Sequence, residues 1–269
     1  MPTALESILA ATRRRVSGAK RTADLRALER KAAAHTPRGF RTRLRAAAQN
    51  GPAVIAELKK ASPSKGLIRG DFHPEGLARE LASAGAAALS VLTDEEFFQG
   101  SLRNLEAASA AASLPCLRKD FMVDEFQFLE SRAHGADAVL LIVAALEQRE
   151  LAAFARIAAS HELDVVCEVH DEAELQRASD AGCQIIGVNS RNLKTFDVEL
   201  ETAFRLAAMI PPGCLRVAES GIDCGADIGR LRGAGYDAFL IGESLMRAAR
   251  PGDALRILLE ESKTVVSSS

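Results

Sequence analysis

The feature that most constrains this chain is an alternation: from about residue 54, short apolar runs rich in β-branched residues take turns with Ala-rich stretches of helical period. The runs are VIAELK at 54–59, ALSVLT at 88–93, PCLRKD at 115–120, AVLLIV at 138–143, DVVCEV at 164–169, QIIGVN at 184–189, CLRVAES at 214–220 and AFLIGE at 238–243. Between them, segments such as PEGLARELASAGA, EQRELAAFARIAASH and DEAELQRASDAG place apolar residues three and four apart and often end at Gly. Near-continuous apolar strands joined by helices imply parallel pairing buried on both faces. Eight such units within the 269 residues predict an α/β fold, a (β/α)8 TIM barrel with an N-terminal helical extension. An open doubly wound sheet is the alternative. It needs an early Gly-rich dinucleotide loop, whereas KKASPSKGL follows the first run.

Residues 1–50 fall outside the repeat and read as two or three helices, leaving 51–269 for the barrel. Two roles stay open for the extension: a cap closing one end of the barrel, or a wall over the substrate. Its basic runs, Arg13 to Arg15 and Arg38 to Arg45, are expected on solvated faces.

Composition narrows the classes of function. With 34 Lys and Arg against 36 Asp and Glu, no global basic field draws nucleic acid or an anionic membrane, so any anion site must be local. No run is long enough to span a bilayer, and MPTALESILAATRRRV carries its charges after a short apolar stretch, unlike a secretory signal. Cys116, Cys167, Cys183, Cys214 and Cys224 lack metal-ligand spacing and are expected as reduced, mostly buried thiols. These features predict a cytoplasmic protein acting on a small molecule; a monomer is expected, although oligomeric state is not readable from the sequence. No second domain is apparent, although other enzymes of its pathway remain conceivable partners.

Barrel chemistry gathers at the carboxyl ends of the strands. Alternation in the first strand puts Val54, Ala56 and Leu58 toward the outer helices and Ile55, Glu57 and Lys59 toward the interior. Inward charges must be paired with each other or with a ligand. A structural ion pair would suffice for one strand, but the pattern recurs: Lys119, Glu168, Asn189, and Glu219 with Ser220 end four other runs. Lysines among carboxylates suit proton transfer, with some groups poised as acids and others as bases. A Schiff-base aldolase is the rival chemistry. At the last two strands, ESGI with Gly221 and IGESLM with Gly242 lead toward helix N-termini, the usual phosphate position in such barrels, with Lys59 and Ser62 as further candidate contacts. The loop GLIRGDFHPEG is a candidate lid, His73 within it is expected to be structural, and His170 is read as a loop or cap residue although it could face the site.

At these residues the chain closely resembles the indole-3-glycerol phosphate synthases. VIAELKKASPSKG, VLTDEEFFQGS, LRKDF, CEVH, GVNSRNL, AESGI and LIGESLM look like that family's segments, in its order, across roughly residues 50 to 250. The resemblance implies ring closure, decarboxylation and dehydration of 1-(2-carboxyphenylamino)-1-deoxyribulose 5-phosphate, with no cofactor and no metal. It also implies roles. Lys119 is the general acid of ring closure, Glu168 serves the dehydration as base or acid, and Lys59 contacts the substrate carboxylate or is the second proton donor. Glu57 orients the lysines and binds hydroxyls, while Asn189, Arg191, Glu219 and Ser220 complete the polar ring. Phosphate falls to Ser62, Gly221, Gly242, Glu243 and Ser244. Glu243 departs from the small hydroxyl residue expected beside Gly242, so its backbone N–H is the expected contact, with the carboxylate turned away. Phe98, Phe121, Leu140 and Leu193 are the implied walls for the anthranilate ring, with ordinary core packing as the alternative. The chain has no Trp, so an indole side chain that the family can carry near its N-terminus is absent. Which lysine donates the first proton is not readable from spacing. A phosphoribosyl isomerase and a non-catalytic phosphate binder are the rival functions; the ring of charge disfavours both.

Overall fold

The structure, a computed structural model, describes residues 3–191 and 197–266. Eight strands form the barrel: β1 (Ala53–Leu58), β2 (Ala88–Leu92), β3 (Cys116–Lys119), β4 (Ala138–Ile142), β5 (Asp164–Val169), β6 (Ile185–Asn189), β7 (Leu215–Glu219) and β8 (Ala238–Ile241). Each pairs in parallel with its neighbours in sequence, and β8 closes on β1 through the register Ala53↔Ala238 to Ala56↔Ile241. Closure leaves no strand edge unpaired.

Three helices precede the barrel, α1 (Ala4–Thr22), α2 (Leu25–Ala34) and α3 (Phe40–Ala48). Those that follow are α4 (Pro74–Ser83), α5 (Leu102–Ala111), α6 (Phe126–Ala133), α7 (Gln148–Ser160), α8 (Glu172–Asp180), α9 (Glu201–Ala207), α10 (Gly225–Gly233), α11 (Glu243–Arg247) and α12 (Pro251–Val266). Their starts are written in the sequence. Thr3 and Glu6 form a capping box on α1, and Asp24, Ser101 and Asp171 each accept a backbone N–H at the start of α2, α5 and α8.

The alternation read from β1 holds. Val54, Ala56 and Leu58 join the shell between strands and helices, while Ala53 and Ile55 belong to a separate core inside the barrel. Fully burying one such Ile or Leu contributes ~1.5–3 kcal/mol, so two concentric apolar layers carry most of the fold. Phe40 and Leu44 of α3 are wholly buried in the inner core and plug the amino-terminal end of the barrel.

Two expectations fail. The five cysteines are not all free thiols, because Cys167 and Cys183 form a disulfide with Cα atoms 6.3 Å apart. Both sit in the outer shell, and the parallel pairing of β5 with β6 brings the stretch before β6 beside Cys167, a proximity that a separation of 16 residues does not announce. Nor are the basic runs of the extension wholly solvated. Arg13, Arg14, Arg43 and Arg45 are exposed, but Arg15 and Arg38 are half-buried and ion-paired to Asp120 and Asp137. Arg38 also donates to the carbonyls of Ser109, Ala112 and Gly135, and so stitches the extension to the base of β3 and β4. Among the described residues no helix is long and apolar enough to cross a membrane.

Candidate active site

A cavity of about 940 Å³ opens at the carboxyl ends of the strands. Glu57, Lys59, Lys119, Glu168, Asn189, Glu219 and Ser220 all line it, so the polar ring expected from the strand ends converges on one space. The Lys119 ammonium lies 3.3 Å from Glu168 Oε2 and 3.3 Å from Glu219 Oε2. Lys59 pairs with Glu57 at 2.5 Å.

The electrostatics follow from charge crowded away from water. Burial works against the Lys119 ammonium, but Glu219, Glu168 and Glu57 outweigh it and raise its pKa above the ordinary lysine value. Burial likewise disfavours the Glu168 carboxylate, yet Lys119, His170 and Asn189 hold its pKa below the usual carboxylate range. Glu219 goes the other way: burial, together with the charges of Glu168 and Glu57, raises it to about 7 despite Lys119. Three carboxylates face two ammoniums in this ring, and Glu219 is the one that most readily keeps a proton.

Two inward glycines make room for these acids. A Cβ on Gly187 would lie 2.2 Å from Glu219 Oε1, and one on Gly242 would lie 2.3 Å from Glu57 Oε1. Gly242 was read as a phosphate-loop residue and here also serves packing; Gly187, inside GVNSRNL, was not singled out. At the end of β7, Ser220 and Gly221 both take positive φ, 66° and 74°. A side chain at Gly221 would also meet Val198 Cγ1 at 2.7 Å, so this tight turn requires glycine. It aims Ser220 Oγ to donate to Asn189 Oδ1 at 2.8 Å, and the Arg191 backbone N–H donates to the same oxygen at 3.0 Å.

The expected phosphate residues Ser62, Gly221, Gly242, Glu243 and Ser244 also line the cavity, on the side of β7 and β8. Ser244 Oγ donates to the Ile222 carbonyl at 3.4 Å. The Glu243 carboxylate is ion-paired. It lies 3.6 Å from Arg191 and 4.0 Å from Lys65, which reach it from two other segments, and 3.1 Å from Arg247 one turn on in α11. Phe98, Phe121 and Leu140 form an apolar wall, with the two rings 6.4 Å apart and tilted. Leu193 lies outside the described residues.

Sequence reasoning leaves the extension either a cap on one end of the barrel or a wall over the substrate, and the structure shows both. Ala4, Leu5 and Ile8 line the cavity, so the extension both plugs the lower end through α3 and walls the upper end through α1. Of the candidate lid GLIRGDFHPEG, Gly66–Leu67 pairs with Ala61–Ser62 in a short antiparallel hairpin, and His73 stands exposed at the N-cap position of α4 with no side-chain cap hydrogen bond. His170 stands in the loop just before the Asp171 cap, as expected, but its ring reaches the site and contacts Glu168.

Residues 5–258 match the family model for indole-3-glycerol phosphate synthase. The chain belongs to this family. A synthase of that name from Koribacter versatilis is 59% identical over 96% of this chain and 100% of its own length, and one from Burkholderia vietnamiensis is 50% identical over 93% and 97%. Among solved structures, 3-hexulose-6-phosphate synthase from Salmonella typhimurium superposes with a TM-score of 0.64 at 12% identity, covering 79% of this chain and 99% of that one, a likeness of fold. As an indole-3-glycerol phosphate synthase, the protein is a carboxy-lyase of tryptophan biosynthesis. It converts 1-(2-carboxyphenylamino)-1-deoxyribulose 5-phosphate to indole-3-glycerol phosphate.

Proposed function

We propose that Lys119 is the general acid of ring closure. The observation that carries this is its place in the cavity between Glu168 and Glu219, at 3.3 Å from each, among carboxylates that keep it charged. As the ring carbon bearing the carboxylate attacks the ribulose carbonyl, negative charge builds on the carbonyl oxygen and the ammonium supplies its proton. Carbon dioxide then leaves and its bonding pair restores the ring. In the dehydration, Glu168 takes a proton from the neighbouring carbon, and the hydroxyl departs as water with a proton from Lys59. Two protons given and one taken leave one consumed per turnover, which matches loss of a carboxylate as carbon dioxide.

Glu57, Asn189, Arg191, Glu219 and Ser220 hold the substrate's hydroxyls and the lysines. Phe98, Phe121, Leu140 and Leu193 receive the anthranilate ring. The phosphate binds between Ser62, Gly221, Gly242, Glu243 and Ser244, supported by the turn at Ser220 and Gly221. Residues 1–50 act as an extension of the catalytic barrel of 51–269, and the protein works in the cytoplasm as a monomer.

The test is fluorescence-monitored turnover and substrate affinity of wild type and Lys119→Ala. Indole product from wild type, with a variant that binds but turns over at least ~100-fold more slowly, is the expected result. A variant that stays active makes Lys59 the acid.

A further inference from the structure

Beside Glu168 stands a buried titratable group to which the proposed reaction assigns no role. His170 is 14% exposed at its side chain and lies between two carboxylates, with Nδ1 2.9 Å from Glu174 Oε2 and Nε2 3.4 Å from Glu168 Oε1. Its own backbone N–H donates to the same Glu174 oxygen at 2.8 Å, and Glu174 is in turn fixed in the first turn of α8 behind the Asp171 cap.

The geometry dictates the charge. A carboxylate oxygen only accepts, so the nitrogen facing Glu174 must carry a proton. The other nitrogen faces Glu168, again an acceptor. Only the Glu174 contact is a hydrogen bond, since Nε2 has no hydrogen-bond partner among the described residues and meets Glu168 at an ion-pair distance; a neutral ring would hold a lone pair there against an anion, and the imidazolium removes that repulsion. Consistent with this, burial opposes the cation but Glu168 and Glu174 outweigh it, raising the His170 pKa to about 10.

The placement also divides Glu168 between two cations. Oε2 faces Lys119 on β3 and Oε1 faces His170, while Asn189 on β6 helps hold the carboxylate ionised. Glu57 on β1, paired to Lys59, and Glu219 on β7 also act on Lys119. We propose that His170 is a positioning residue of this reaction: its imidazolium, anchored by Glu174, fixes the plane of Glu168 and keeps that carboxylate ionised while the opposite oxygen stays with Lys119 and the substrate. This rests on the role of Glu168 proposed above. Glu174 is then a remote setter of the same group, acting through the charge state of the ring.

The test pairs His170→Gln, which keeps a donor but removes the charge, with Glu174→Gln, which leaves the ring in place. In wild type the His170 ring resonances should stay those of an imidazolium through pH 8, and in Glu174→Gln their midpoint should fall by about one unit or more. His170→Gln should lower kcat roughly 10- to 100-fold with KM near that of wild type, since a misplaced catalytic group costs turnover rather than binding. Its acid limb of kcat should move to higher pH. Glu174→Gln should lose kcat on the alkaline side along the midpoint measured for its ring. A wild-type ring that titrates near 6.5, or a folded His170→Gln with unchanged kcat and pH profile beside an inactive Glu168→Gln, overturns the role of His170 alone. Full turnover by Glu168→Gln removes the role of Glu168 and, with it, that of His170.

Discussion

Arg15 of α1 grips Asp120 with both carboxylate oxygens, at 2.9 and 3.1 Å, and Asp120 is the residue that follows Lys119. The same carboxylate accepts from the wholly buried Arg118 at 3.0 Å and from Thr93 at 2.8 Å. The extension is thereby tied to the strand end that carries the central lysine.

Arg15→Met is therefore expected to act on both stability and substrate binding. Asp120 keeps Arg118 and Thr93, so the loss should be modest, ~2 kcal/mol by urea denaturation. Loosening α1 also disturbs the wall formed by Leu5 and Ile8, so KM should rise several-fold. A stability loss with KM unchanged would show that α1 serves the fold alone.

Gly187→Ala should damage catalysis more than folding. The added methyl would stand 2.2 Å from Glu219 Oε1 and 3.1 Å from Val166 Cγ1, so Glu219 must swing off Lys119. A fall in kcat on the order of 100-fold is expected, with an overpacking cost of about 1–3 kcal/mol. Steady-state kinetics and thermal melting on one preparation separate the two effects.

Stability should peak in mildly acidic solution. Burial disfavours the Asp137 carboxylate, but hydrogen bonds from His35 and Arg38 prevail and hold its pKa below 3.8; its contribution is present above that value and lost as pH falls through the folded one. The His170 pKa is raised from 6.5 to about 10, so its contribution is whole below 6.5 and lost as pH climbs toward 10. Both are complete only between about pH 4 and 6.5. Urea midpoints across pH should show Asp137→Asn flattening the acid arm and His170→Gln the alkaline arm.

Glu243→Gln should tighten phosphate binding. The carboxylate draws on Arg191 and Lys65, cations on the side of the cavity where the phosphate is proposed to bind. Removing its charge should lower both KM and the inhibition constant of inorganic phosphate by up to about fivefold, within the ~1 kcal/mol of a partly exposed ion pair. Weaker binding of inorganic phosphate would instead mean that the carboxylate orders this rim.

The sequence by itself determined the barrel. Each strand from VIAELK to AFLIGE and the inward facing of Glu57 and Lys59 were legible, because apolar period and strand alternation are local properties. The site residues were legible as polar interruptions at apolar strand ends. The tertiary structure alone decided which charges meet. Closing the barrel brings Lys119 of β3 to Glu219 of β7, 100 residues later, and packs Gly187 against that carboxylate. It also set Arg15 on Asp120, joined Cys167 to Cys183 and turned His170 toward Glu168. These are contacts between elements whose separation along the chain carries no trace of their distance in space. Desolvation there sets the charge states on which the chemistry depends.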